Sequence, residues 1–378
     1  MSKRQENLFI DFEKASKSTW HQKATSDLKG EDVYEKYNRS FDDITLEPYY
    51  DKTDIQSIQH IHAFQNRFSL KNNPTGENRY WQNLQRIIVS DSQQANAQAL
   101  EALNNGADGV IFDFTHHQPK HVVKELLKDI QPAYCNVSFI INKDADHVVN
   151  EYLQFISEDH IDKDSLNGIF IIEGSPEPSN LFIRYTDLQQ ISGLKSINIQ
   201  STEDSPSGAI ADLLFRVMQV IETGKDNTDI KKLFSAISLT MQVSANYFEE
   251  IAKIRAMRNL FYQMVQSYGV NGFSPEDLHI HCISPAWIEE KYQPHGNMLK
   301  STTAAMSAIL GGCDSLEVQP ESYDNPLMTR IARNVSTILK EESYLNATAD
   351  PVAGSYYIES LTDKLAQKAW AEFQEKLN

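Results

Sequence analysis

The sequence predicts an α/β protein built on a (β/α)8 barrel, the TIM-barrel class, with an extended N-terminal arm and a C-terminal helix. Two observations carry this. Short β-branched runs alternate eight times with helical patterns between residues 84 and 341. Strands separated by helices pair in parallel because each crossover is long, and eight such units close into a barrel of about 250 residues. The second observation is that no Gly-rich turn follows the first strand. That weakens a dinucleotide-binding version of the structural rival, a doubly wound open sheet. No solenoid-type repeat is present.

The elements follow in order. Leu84 to Ser90 (LQRIIVS) is the first strand candidate. A helix over 92–105 follows and stops near Asn104-Asn105-Gly106, a C-cap signal. Gly109 to Phe114 is the second strand, and His121 to Ile130 a helix with Val122, Val123, Leu126 and Leu127 on one face. Asn136 to Ile141 and Gly168 to Glu173 are strands, followed by helices over 145–157 and 186–192. Lys195 to Gln200 is the fifth strand, and its helix, Gly208 to Thr223, closes at Gly224. Phe234 to Met241 and Leu278 to Ile283 are strands, followed by helices over 245–268 and 296–310. Ser315 to Val318 is the eighth strand, with its helix over 326–341.

Three regions result: an arm and linker (1–80), the barrel (81–345), and a loop with a terminal helix (346–378). The arm is polar, with islands at Phe9-Ile10-Asp11-Phe12, Trp20 and Ile44 to Tyr50, and an exposed loop over 68–80. Too poor in apolar residues for its own core, it is expected to pack on its own barrel or on a partner. The tail places Leu361, Leu365, Ala369 and Phe373 at helical spacing.

The bulk composition excludes several classes. A net charge of −17 argues against nucleic acid and anionic membranes as main partners. No apolar run approaches the roughly 18 residues of a membrane span, and the first residues lack a signal-peptide core. The three cysteines, Cys135, Cys282 and Cys313, have no metal or redox spacing, so a reduced cytoplasm is expected.

The densest motif lies near the C-terminus: Arg330-Ile331-Ala332-Arg333-Asn334, then Asp350-Pro351-Val352-Ala353-Gly354-Ser355-Tyr356-Tyr357-Ile358-Glu359. Asp350-Pro351 marks a turn, and Gly354 permits a backbone conformation that other residues resist. The plain reading is a structured loop that seats the last helix. Other polar groupings are less specific. His116, His117 and His121 suggest either a metal cluster or a solvated loop, with the loop favoured. Asp42-Asp43, Asp144/Asp146 and Glu341-Glu342 are scattered acids without a fixed partner.

These motifs closely resemble the methylmalonyl-CoA mutase family. Asn246-Tyr247-Phe248-Glu249-Glu250-Ile251-Ala252-Lys253-Ile254-Arg255-Ala256-Met257-Arg258 is similar to the family's long helix after the sixth strand, and the two C-terminal motifs follow in family order. Trp20, Leu28-Lys29-Gly30 and the Ile44–Tyr50 island resemble the family's arm. The resemblance implies a barrel that threads acyl-CoA along its axis. It also implies a separate flavodoxin-like domain carrying adenosylcobalamin, which supplies the radical. Some members pair a catalytic large subunit with a related, inactive small subunit.

The departures from the family pattern fall at strand ends, where this fold builds active sites. Arg86, in Leu84-Gln85-Arg86-Ile87-Ile88, stands about where the family carries the Tyr that abuts the thioester. Glu203, in Ser201-Thr202-Glu203-Asp204-Ser205, takes the place of a His that polarises the thioester carbonyl. A carboxylate cannot donate that hydrogen bond at neutral pH. Glu173-Gly174-Ser175-Pro176-Glu177-Pro178 lacks the family's Thr-x-Gln contacts. Asp277-Leu278-His279-Ile280-His281-Cys282 imitates the cobalamin motif Asp-x-His-x-x-Gly, but with Cys for Gly and within the seventh strand. His279 and His281 share one face there, and Cys282 takes the other.

The resemblance, with these losses, implies a non-catalytic small (beta) subunit of the heterodimeric mutase, inactive alone. No flavodoxin-like domain is expected, and no residue is expected to be catalytic, cofactor-binding or metal-ligating. Adenosylcobalamin would belong to a large partner subunit, with a homodimer possible without it. The alternatives are an acyl-CoA-binding subunit of a split mutase with a separate cobalamin chain, and a repurposed barrel acting as a binding protein.

Overall fold

The structure, a computed structural model, describes residues 16–58, 80–117, 119–142, 146–174, 176–287 and 296–377. The Phe9–Phe12 island, the loop over 68–79, Asp144 and Ser175 lie outside the described residues.

The arm begins with two helices, α1 (Lys17–Asp27) and α2 (Val33–Tyr37), and a hairpin of β1 (Arg39–Phe41) and β2 (Ile44–Leu46). Asp42 and Asp43 form the hairpin turn. Both take left-handed backbone angles (φ 48° and 56°), as a two-residue turn of the right twist requires and as Asp tolerates.

The barrel strands are β3 (Gln82–Ile88), β4 (Gly109–Asp113), β5 (Asn136–Ile141), β6 (Gly168–Ile172), β7 (Leu194–Lys195), β8 (Ile197–Gln200), β9 (Ile237–Gln242), β10 (His279–Ile283) and β11 (Ser315–Glu317). All pair in parallel in the order β7-β6-β5-β4-β3-β11-β10-β9-β8. β7 and β8 are the two halves of the expected fifth strand, interrupted at Ser196. Its first half pairs with β6 and its second with β9, so the ring closes through it. The predicted barrel is therefore observed, and the described residues contain no second α/β unit.

The helices are α3 (Ser92–Asn104), α4 (Val123–Leu126), α5 (Asp146–Glu158), α6 (Pro178–Leu188), α7 (Pro206–Gly224), α8 (Ile230–Ser235), α9 (Tyr247–Ser267), α10 (Gly296–Gly311), α11 (Pro326–Glu341) and α12 (Tyr356–Lys376). Two differ notably from expectation. The helix expected over 121–130 shrinks to the single turn of α4, because His121 and Asp129 on either side take positive φ (61° and 63°). Glu151 then accepts the amides of His121, Val122 and Val123. The helix expected over 186–192 instead runs from Pro178, a residue preorganised for a first turn, and buries Leu181, Tyr185 and Leu188. Among the described residues no helix is long and apolar enough to cross a membrane.

The period of two decides what faces the axis. Phe139 of β5 packs on Phe170 of β6 (5.0 Å between ring centroids) and on Tyr152 of α5 (5.1 Å), so this face looks outward to the helices. The alternate residues Ile140, Ile169 and Ile171 therefore look inward, where they cluster with Leu84 and Ile111. On the other wall the inward positions are polar and bonded to one another. Asn198 Nδ2 donates to Ser238 Oγ (2.9 Å), and Thr240 Oγ1 donates to Asn198 Oδ1 (3.0 Å).

The C-terminal helix α12 packs against α7 and α9 and buries Leu361, Leu365, Ala369 and Phe373, as its spacing predicts. It also receives the arm. Lys368 Nζ donates to the Asp42 carbonyl, Lys364 Nζ to that of Thr45 (3.3 Å), and the Ser207 amide to Asp42 Oδ2 (2.8 Å). The described part of the arm thus lies on its own barrel.

Candidate functional site

The C-terminal motif is a buried clamp. Arg255, on α9 and only 4% exposed at its side chain, reaches Asp350 (2.6 Å) and Glu359 (2.8 Å). Asp350 also accepts the Val352 amide (3.2 Å), and Glu359 accepts the Gly354 amide (3.1 Å). Gly354 has φ +76°, the left-handed conformation that favours glycine. The loop is thereby fixed at the point where α12 starts. In the Arg330–Asn334 motif Ala332 and Arg333 are buried, and Arg333 is the charged one. It bonds Gln85 (2.7 Å), Glu101 (3.0 Å) and the Asn105 carbonyl (3.0 Å), tying α11 to β3 and α3. Arg258 gathers the carbonyls of Pro275, Leu278 and Gly312 with the Asp314 carboxylate. These residues hold the scaffold together and stand outside the axis.

Near the C-terminal mouth the inner wall carries an ion pair that joins β3 to its two neighbours, β11 and β4. Arg86 Nη2 donates to Glu317 Oε2 (3.0 Å), while its Nε lies 2.8 Å from Oε1. Nη1 reaches Asp113 (3.4 Å), and the Tyr323 hydroxyl donates to Glu317 Oε1 (3.0 Å). The Glu317 side chain is 1% exposed and that of Asp113 3%. His281 Nε2 lies 3.8 Å from Glu317, and its Nδ1 is bonded to Ser315 Oγ (2.8 Å). Burial alone would raise the Glu317 carboxyl. The Arg86 charge, with the nearby His281 ring and hydrogen bonding from Arg86, outweighs it and holds the group at about 2. Burial and the Glu317 charge push the Tyr323 phenol upward.

Arg86 thus points inward from β3 and bonds side chains of the two neighbouring strands, β4 and β11. Its partners Asp113 and Glu317 were missed in the sequence. The available signal was a charged residue in each of three strands otherwise destined for full burial, since buried charges must find one another.

Glu203 is not part of this cluster. Its carboxylate accepts from Lys376 Nζ (3.1 Å) of α12, at an outer rim where its side chain is 46% exposed. The loop after β8 turns toward α7 and α12, and takes Glu203 with it. Glu203→Ala is expected to change stability by less than about 0.5 kcal/mol, measured by urea denaturation.

At the opposite, N-terminal face a polar cavity of about 460 Å³ opens among Tyr80, Gln82, Asn167, Lys195, Asp277 and His279. Lys195 Nζ donates to the carbonyls of Ser235 (2.7 Å) and Asp277 (3.2 Å). Burial lowers its pKa against the pull of Asp314 and Asp277. Burial likewise brings His279 down to about 3, with Asp314 opposing, so its imidazole is neutral at physiological pH. His279 Nε2 shares the Ser315 hydroxyl with His281 (2.9 Å).

The cobalamin-like run therefore does not fit cobalamin. Both imidazoles are turned into the barrel and tied to Ser315, and Cys282 is buried on the opposite face with its thiol pushed up by burial and by Cys313. His116 is bonded to Thr115 Oγ1 (2.8 Å) in the loop after β4, while the amide of His121 serves the α4 cap. Among the described residues, no group of three or more His, Cys, Asp or Glu side chains is placed to hold a metal.

Comparison with known proteins agrees with this architecture. The family model described as methylmalonyl-CoA mutase matches residues 182–376. The methylmalonyl-CoA mutase small subunit of Porphyromonas gingivalis is 29% identical over 99% of this chain and 64% of its own length. That of Streptomyces virginiae is 25% identical over 98% of this chain and 64% of its own length. The P. gingivalis large subunit is 32% identical over 50% of this chain and 28% of its own. The chain thus spans less than two thirds of the length of these relatives. With the family model covering more than half of its residues on a closed parallel barrel, the chain belongs to the methylmalonyl-CoA mutase family.

Proposed function

We propose that this chain is the non-catalytic small subunit of a heterodimeric, adenosylcobalamin-dependent methylmalonyl-CoA mutase. A large subunit holds the cofactor and interconverts methylmalonyl-CoA and succinyl-CoA, and this chain supports it. The carrying observation is the Arg86–Glu317 pair with Asp113, turned into the barrel interior from three neighbouring strands. An acyl thioester coming along the axis meets two carboxylates and a guanidinium already bonded to them. Developing negative charge on its oxygen would be repelled rather than stabilised there. The small-subunit names of two relatives support the reading, and the free cysteines suit a reducing cytoplasm.

Reconstitution tests it. The purified chain with adenosylcobalamin and methylmalonyl-CoA is expected to show no turnover, and mixing it with the large subunit to give a stable complex. Turnover by the isolated chain would overturn the reading.

A second reading, the acyl-CoA-binding subunit of a split mutase, draws on one observation: the polar cavity at the N-terminal face is large enough to receive part of an acyl-CoA. Saturable acyl-CoA binding by the isolated chain would favour it.

A further inference from the structure

Where the arm meets the barrel, an open groove of about 680 Å³ is walled by aromatic rings. One wall is Tyr49 and Tyr50 of the arm; the other is Phe248, at the start of α9, and Tyr356 and Tyr357, at the start of α12. Tyr357 stands edge-to-face between Tyr50 (centroids 5.3 Å apart) and Phe248 (5.5 Å). The rings are not all covered: Tyr37 is 50% exposed, Phe248 49% and Tyr356 41%. Single exposed apolar side chains are ordinary, but several large rings gathered in one concavity mark a binding surface.

Three charges line this groove: Arg39, Glu47 and Glu249. Glu47 is paired with Lys17 (2.6 Å), while Arg39 and Glu249 make no ion pair among the described residues. Both lie close enough to act on the Tyr357 phenol, whose pKa burial raises, with Glu249 adding to the rise and Arg39 opposing it. Aromatic residues and Arg are the side chains enriched at the centres of protein interfaces. A pair of unmatched opposite charges beside such a centre fixes the direction and register of what binds.

We propose that this groove is the docking site for an extended segment of the partner subunit. That segment lays apolar side chains between the rings and brings a carboxylate to Arg39 and a cation to Glu249. The charge pattern argues for a polypeptide, because a small apolar ligand would leave both charges unmatched. This inference rests on the heterodimer reading. The groove supplies the centre of the contact; a stable interface of about 800 Å² per partner extends beyond it.

The test is the affinity of the full chain for the large mutase subunit of the same organism, measured by biolayer interferometry. Phe248→Ala/Tyr356→Ala is expected to weaken binding by about 30-fold or more. Arg39→Glu is expected to slow association, with an effect that shrinks as salt rises. Ile183→Ala, at a side chain 55% exposed on α6, should leave affinity within about two-fold. Melting curves check that each variant is folded. Unchanged binding by the groove variants, with the wild type binding, overturns the groove and leaves the heterodimer reading standing. Absence of binding by the wild type overturns the heterodimer reading itself. Self-association of the wild type that the groove variants abolish shows that a second copy covers the groove, and overturns the proposed occupant.

Discussion

Arg255→Ala is expected to destabilise the protein by about 3–5 kcal/mol, the cost of leaving buried charges without their counter-ion. Arg255 meets two carboxylates, Asp350 and Glu359, with side chains 14% and 5% exposed. Removing it strands both, and both also hold backbone amides of the loop that starts α12. The loss therefore spreads to α12, and from α12 to the arm that rests on it. Urea denaturation measures the effect. Arg255→Lys is expected to recover only part of it, because one ammonium cannot reproduce a planar fork reaching two partners. A loss below about 1 kcal/mol would show that the motif is not the clamp described.

Arg86→Ala is expected to cost a similar amount, about 3–5 kcal/mol, because Glu317 and Asp113 stay buried without it. Replacing both members of the main pair by apolar residues, as in Arg86→Met/Glu317→Met, is expected to restore the part of the loss that Glu317 causes, while the Asp113 carboxylate keeps, among the described residues, only its bonds to Thr115. The pair also has a pH signature. The Glu317 carboxyl is held at about 2 in the fold, against an ordinary 4.5. A depressed carboxyl pKa adds stability that is complete above the unfolded value and lost as pH falls. The contribution of about 3 kcal/mol should therefore vanish between about pH 4.5 and pH 2. Stability measured across that window is expected to fall in the wild type and to flatten in the double variant. An equal slope in both would mean that other carboxylates carry the acid sensitivity.

Much of the fold was legible because it depends on local pattern. Strand and helix periods placed β3, β4, β5, β10 and α11 within a residue or two, and the i, i+4 apolar positions of the tail are the buried face of α12. The failures have local causes of a different kind. His121 and Asp129 adopt left-handed angles that a helical pattern does not announce, and Pro178 opens a helix earlier than its apolar run suggests.

The site was legible only in half. Arg86 stood out because it stands about where the resembling family carries a Tyr. Its partners are 27 and 231 residues away, and only the register of β4 and β11 beside β3 brings them together. The outward direction of Glu203 was not legible, because it is set by Lys376 from the far end of the chain. The C-terminal motif was legible as a loop that seats a helix, but its dependence on Arg255 required the packing of α9 against α12.

This barrel keeps the architecture of the family and turns a buried ion pair into its interior in place of thioester-binding groups. The most direct test is isothermal calorimetry of methylmalonyl-CoA and succinyl-CoA titrated into the isolated chain. The ion-paired interior predicts no saturable heat with either ligand. A saturable, micromolar, one-to-one isotherm would contradict it, because Arg86 and Glu317, already bonded to each other, would then have made room for an acyl thioester.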